Sequence, residues 1–136
     1  MSVGEVRLVF KHLPSEGHRH SLAAARAAYC AGEQDRFWQF HDALFATRDL
    51  SPPVFGEIAA KLGVGREKFA ACVSAEASRT AVVKDIEMAK RYRIDSTPSF
   101  LINGKLVKGA VPFAEFQNLI ERELQQSVTA KTSSTN

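Results

Sequence analysis

The dipeptide Asn103-Gly104 places the tightest constraint on how this chain folds. It separates two short strand-forming runs, Pro98–Ile102 and Lys105–Lys108. In that setting Asn-Gly marks a two-residue hairpin, because both turn positions need positive φ and these residues tolerate it best. The two runs are therefore expected to pair antiparallel. Upstream, residues 20–92 read almost entirely as helix. Ser21 is placed as the cap of an Ala-rich helix over Leu22–Ala31, and a second helix runs over about Asp35–Thr47, with Phe37, Phe40, Leu44 and Phe45 as a core-facing stripe. Ser51-Pro52 starts a third helix and Gly63 ends it, a cap-then-proline start and a left-handed glycine stop. Gly65 opens a short helix holding Cys72. A longer one over about Ala77–Tyr92 turns Val82, Ile86 and Ala89 inward. Pro112 opens the last helix.

Before this block, Val6–Phe10 reads as a strand, being short, β-branched and aromatic. A strand that reaches a later strand through a helical crossover suggests a parallel pair. Added to the hairpin, it predicts a mixed sheet with helices packed on it, an α/β architecture. The segment 126–136, rich in Ser and Thr, reads as a disordered tail, leaving 1–125 as the domain.

Composition narrows the function classes. The 136 residues are 45% hydrophobic and 24% charged, ordinary for a globular domain, and no apolar run is long enough to span a bilayer. The net charge of +3 comes from basic residues interleaved with acids, which argues against nucleic acid. The first ten residues carry no basic stretch followed by an apolar one, so no signal peptide is expected. His18 and His20 form an HxH without adjoining carboxylates, and His12 and His41 stand apart, so a metal site is not expected. Phe37, Trp38 and Phe40 read as packing residues, His41-Asp42 as a helix-surface pair, and Lys84, Asp85, Glu87 and Lys90 as a solvated helix face. Cys30 and Cys72, the two cysteines, are too far apart for a CxxC motif. Read alone, they are either two buried thiols or one long-range disulfide.

Three stretches together resemble the DsbA-like thiol–disulfide oxidoreductases of the thioredoxin superfamily. They are Val6–Leu13 running into His20–Arg26, then Ala31–Phe45 (AGEQDRFWQFHDALF), then Ser96–Gly104 (STPSFLING) followed by Lys108-Gly109-Ala110 and Pro112-Phe113. The resemblance implies a thioredoxin-like mixed sheet with an inserted helical block over about 20–92. It also implies a cis peptide bond at Thr97-Pro98, where these two residues meet extended polypeptide or thiol-protein substrates through backbone pairing. It further implies that Cys30 and Cys72 can form the second, non-catalytic disulfide seen in some members, which a loop of this size would make worth about 3–4.5 kcal/mol on the chain-entropy model. Members mostly act outside the cytoplasm.

Set beside the family, the chain lacks the first strand–helix unit, which carries CxxC at a helix N-terminus. Cys30, late in its helix, stands at the wrong end for thiolate stabilisation, and neither cysteine has a partner two residues away. No catalytic residue and no cofactor is assigned. The expectation is a true start lying upstream, a direct closure of the remaining strands, or a strand-swapped homodimer that relieves the exposed strand edges. Arg93 stands where the family commonly has glycine closing the long helix, at an expected cost of about 1 kcal/mol.

Overall fold

The computed structural model describes residues 6–133, and their side chains as far as residue 127. The described residues divide into two compact units, Lys11–Arg93 and a second made of residues 6–10 with 94–133.

The first unit is helical: α1 (Ser21–Gly32), α2 (Phe37–Ala46), α3 (Pro52–Lys61), α4 (Arg66–Ser74) and α5 (Glu76–Arg91). Its hub is α1, which touches all four of the others. The sequence explains this: Ala25, Ala27, Ala28, Cys30 and Ala31 are all buried, and alanine lets neighbouring helices approach closely without loss of side-chain entropy. Around α1 the larger side chains Phe40, Phe55, Ile58, Val64 and Phe69 fill the core. Arg26 leaves α1 sideways, donating from Nε to the buried Ser78 hydroxyl (3.0 Å) and from Nη2 to the Ala75 carbonyl (3.0 Å). It thus satisfies two acceptors at the start of α5, the Ser78 oxygen and the Ala75 carbonyl.

The punctuation read from the sequence holds. Ser51 precedes Pro52 at the first position of α3, and Gly63 (φ 71°) closes it in the left-handed region. The start of α1 differs by one residue: His20 occupies the cap position, and the Ser21 hydroxyl instead donates to the Ser15 carbonyl at 2.8 Å. Arg93 adopts φ 55° after α5, so the backbone keeps the left-handed turn without glycine.

The second unit holds β1 (Ser99–Ile102), β2 (Lys105–Lys108) and α6 (Phe113–Ser133). The strands pair antiparallel with Ile102 opposite Lys105 and Ser99 opposite Lys108, and Asn103 (φ 48°) and Gly104 (φ 86°) make the turn. Phe100 packs on Phe116 of α6, ring centroids 4.7 Å apart.

Two expectations are corrected here. Val6–Phe10 has no regular secondary structure and joins no ladder among the described residues, where the sheet is the two-stranded β1-β2 pair rather than a mixed one. Strand propensity yields a strand only within a ladder, and the described ladder is formed by β1 and β2. The polar segment taken as a tail is helical as far as Ser133, because it contains no glycine or proline to stop α6. Residues 134–136 lie outside the described residues.

Cys30 and Cys72 form a disulfide with Cα atoms 5.7 Å apart, joining α1 to α4. This decides between the two readings left open by the sequence.

Two stability predictions follow from these contacts. Replacing both cysteines, Cys30→Ala with Cys72→Ala, is expected to lower the unfolding free energy by about 2–4 kcal/mol in denaturant titration. An unchanged midpoint would contradict a structural role. Arg93→Gly is expected to raise stability by about 1 kcal/mol by relieving the left-handed arginine, read as a higher melting temperature. A lower one would show that the arginine side chain contributes more than the backbone loses.

Candidate functional site

The sequence-assigned residues Thr97 and Pro98 lie in the short segment that leads into β1. The Thr97–Pro98 peptide bond is cis, and both residues are exposed. The segment is held on each side. The Lys108 ammonium donates to Asp95 Oδ1 at 2.8 Å, and this contact holds the Asp95 carboxyl below its ordinary pKa. The Ser99 hydroxyl donates to the Ser96 carbonyl at 2.7 Å. The Pro98 carbonyl accepts the Gly109 N–H at 2.8 Å, which extends the β1-β2 register by one pair. Gly109 (φ 87°) makes this approach with a conformation that side-chain-bearing residues rarely adopt.

Between these anchors Thr97 has no hydrogen-bond partner among the described residues for its backbone N–H and C=O or its hydroxyl. In an antiparallel ladder successive residues direct their backbone groups to alternate sides. Because Pro98 faces β2, Ser99 and Leu101 face the other edge, which pairs with no strand among the described residues, and Thr97 stands just before the ladder. What the arrangement can do chemically is therefore binding: it presents ordered donors and acceptors along a strand edge, next to a proline that cannot itself donate.

The other half of thiol chemistry is not assembled here. Cys30 is fully buried and is bonded to Cys72, and no free cysteine is present. The pair belongs to the helical unit, and neither sulfur stands at a helix N-terminus.

Several other sequence-assigned residues stand elsewhere than expected. Phe40 is fully buried against Phe69, but Trp38 is 43% exposed and Phe45 79%, so only part of the α2 stripe faces the core. Trp38, His41 and Phe45 form a surface row along α2, with the rings of His41 and Phe45 4.7 Å apart. His41 Nδ1 meets Asp42 Oδ1 at 2.9 Å within the same helix. Asp85 does not belong to a solvated face. Its side chain is mostly covered and accepts from Lys11 Nζ (3.0 Å) and from the His12 backbone N–H (2.9 Å). This clamp has no local sequence signal, since its partners are more than seventy positions apart. Burial lowers the His12 pKa, opposed by the Asp85 carboxylate. Among the described residues no group of three or more His, Cys, Asp or Glu gathers as metal ligands, and no helix is long and apolar enough to cross a membrane.

Comparison with known proteins identifies the framework. A family model described as Thioredoxin matches residues 1–122. Disulfide bond formation protein D of Bacillus subtilis is 26% identical over 130 residues, covering 90% of this chain and 59% of that protein. The Na(+)/H(+) antiporter NhaA 3 of Salinispora tropica is 32% identical over 102 residues, covering 74% of this chain and 16% of that protein. NhaA of Herminiimonas arsenicoxydans is 32% identical over 107 residues, covering 78% of this chain and 17% of that protein. The chain therefore spans about a sixth of the antiporters' length and three-fifths of the disulfide bond formation protein's. No solved structure matches. With the α/β framework, the hairpin entered through Thr97-Pro98 and a family match over residues 1–122, the chain belongs to the thioredoxin family, as a DsbA-like member of that superfamily.

Proposed function

We propose that this chain is the substrate-facing part of a DsbA-like thiol–disulfide oxidoreductase and performs no dithiol exchange with its own cysteines. The observation that carries the reading is the separation of two properties that the chemistry needs together. Thr97, just before β1, has backbone groups unpaired among the described residues, while Cys30 and Cys72 are bonded to each other in the helical unit. Exchange requires a thiolate that attacks a substrate disulfide, or a disulfide whose sulfur a substrate thiolate can reach, with a second sulfur placed to resolve the mixed species. Cys30 is fully buried and bonded to the half-buried Cys72, and no further cysteine is present to resolve a mixed species.

The partners on this reading are extended thiol-containing proteins, in keeping with the name disulfide bond formation protein D carried by two relatives. Binding is by β-augmentation. The guest backbone pairs with Thr97, and its side chains alternate on and off the surface. The dithiol is then supplied from outside these residues. A second reading keeps the grip and drops the chemistry: a peptide-binding module without enzymatic activity. The same unpaired Thr97 favours it.

Insulin reduction in the presence of dithiothreitol tests the inactive-cysteine claim. The purified chain is expected to precipitate insulin no faster than dithiothreitol alone. Clear turnover that disappears in Cys72→Ser would overturn the assignment of Cys30 and Cys72 to structure.

A further inference from the structure

The helical unit carries a groove of about 540 Å³, formed by α3 and α4 with Ala23 of α1. Every residue that lines it belongs to this one unit and is described. Pro52 and Ala60, near the two ends of α3, both line it, as do Arg66 and Ser74 at the two ends of α4. The groove therefore runs the length of the helix pair, and a ten-residue helix such as α3 is about 15 Å long. Its volume falls within the range of sites that hold small organic molecules, and like them it is lined mainly by apolar side chains, among them Phe55, Phe69 and Val73.

Gly56 shows that the groove is not simply a gap left by packing. It stands inside α3, where glycine costs stability relative to alanine. Its φ is not positive, and a Cβ added to it would meet nothing within 4 Å. No turn and no close neighbour among the described residues requires a glycine here. Its missing side chain instead leaves the groove open beside the exposed Ala60 and Ala70.

The groove is polarised. The connection between the helices folds back over the end of α3, with the Val64 N–H donating to the Ala59 carbonyl at 2.9 Å, and Arg66 follows at the first position of α4. Arg66 has no hydrogen bond or ion pair among the described residues. No side chain caps α4, so the unpaired N–H groups of its first turn add partial positive charge at the same end. Glu67 of that turn does not line the groove, and the exposed Glu57 lines it halfway along α3 without pairing to Arg66. One end is thus cationic and the body apolar.

We propose that this groove binds a free, unbranched aliphatic carboxylate. Its chain lies along α3 and α4, over Gly56, and its carboxylate meets Arg66 and the start of α4. A long apolar body with one anionic end matches both the shape and the charge of the groove. This goes beyond the proposed function and does not depend on it.

Isothermal titration calorimetry of the full chain with octanoate, decanoate and dodecanoate, each below its micelle concentration, tests the proposal. The expected result is one site per chain whose affinity rises by up to about tenfold for each pair of methylenes added. Arg66→Gln, at an exposed position, is expected to weaken dodecanoate about tenfold and to leave dodecanol unchanged. Gly56→Leu puts a side chain into the open space and is expected to abolish binding of both, with a melting temperature no lower than before because leucine favours helix over glycine. Absence of binding by all three acids overturns the proposal, as does an affinity independent of chain length. Dodecanol bound as tightly as dodecanoate, or dodecanoate binding unaltered in both variants, overturns it equally.

Discussion

The disulfide between Cys30 and Cys72 ties α4 to α1, the helix on which the rest of the helical unit is built. α1 buries alanines rather than large side chains, so its packing depends on close approach and supplies little apolar area per residue. A covalent link acts where that packing is thinnest. It removes conformational freedom from the unfolded chain between the two helices. Phe40, Phe55 and Phe69 then fill the space around the link, and Arg26 secures the start of α5 through Ser78 and Ala75.

This use of the cysteines separates stability from chemistry. In a redox pair the sulfurs must be reachable, and one must be activated as a thiolate. Here Cys30 is fully buried and Cys72 half-buried, and they are bonded to each other. On the proposed reading the groups left for function are those of the backbone at Thr97, whose neighbours are held by Lys108 on Asp95, Ser99 on Ser96, and the Gly109 N–H on Pro98. A binding edge gains from such preorganisation because a guest strand then orders fewer groups on arrival.

Much of this was legible in the sequence where the signal is local. Asn103-Gly104, Gly63 and Ser51-Pro52 each dictate backbone geometry within a few residues, and each stands where it was placed. Arg93 shows the limit of such reasoning: the left-handed position is kept although the residue disfavours it, because the surrounding helix and its continuation determine the turn. The apolar stripe of α2 was only half informative. Periodicity states which residues share a face, but how far the neighbouring helices cover that face depends on packing, and they leave Phe45 outside. Val6–Phe10 has strand propensity but joins no ladder among the described residues, and ladder membership is a property of the whole sheet and not of the segment. The clamp of Lys11 and His12 on Asp85 joins residues distant in sequence, so no window along the chain contains it. For the candidate site, Thr97-Pro98 was found through resemblance to a family; its supporting hydrogen bonds required the fold.

The central claim is that the open backbone beside Pro98 is where this chain meets an extended polypeptide. Backbone amide chemical-shift mapping during titration with an extended, cysteine-containing peptide addresses it most directly. The account predicts that the shifts cluster on Ser96, Thr97 and Ser99 and on the neighbouring Gly109, with the helices near Cys30 and Cys72 unmoved. Shifts centred on the helical unit, with the Ser96–Ser99 amides unchanged at saturating peptide, would contradict it.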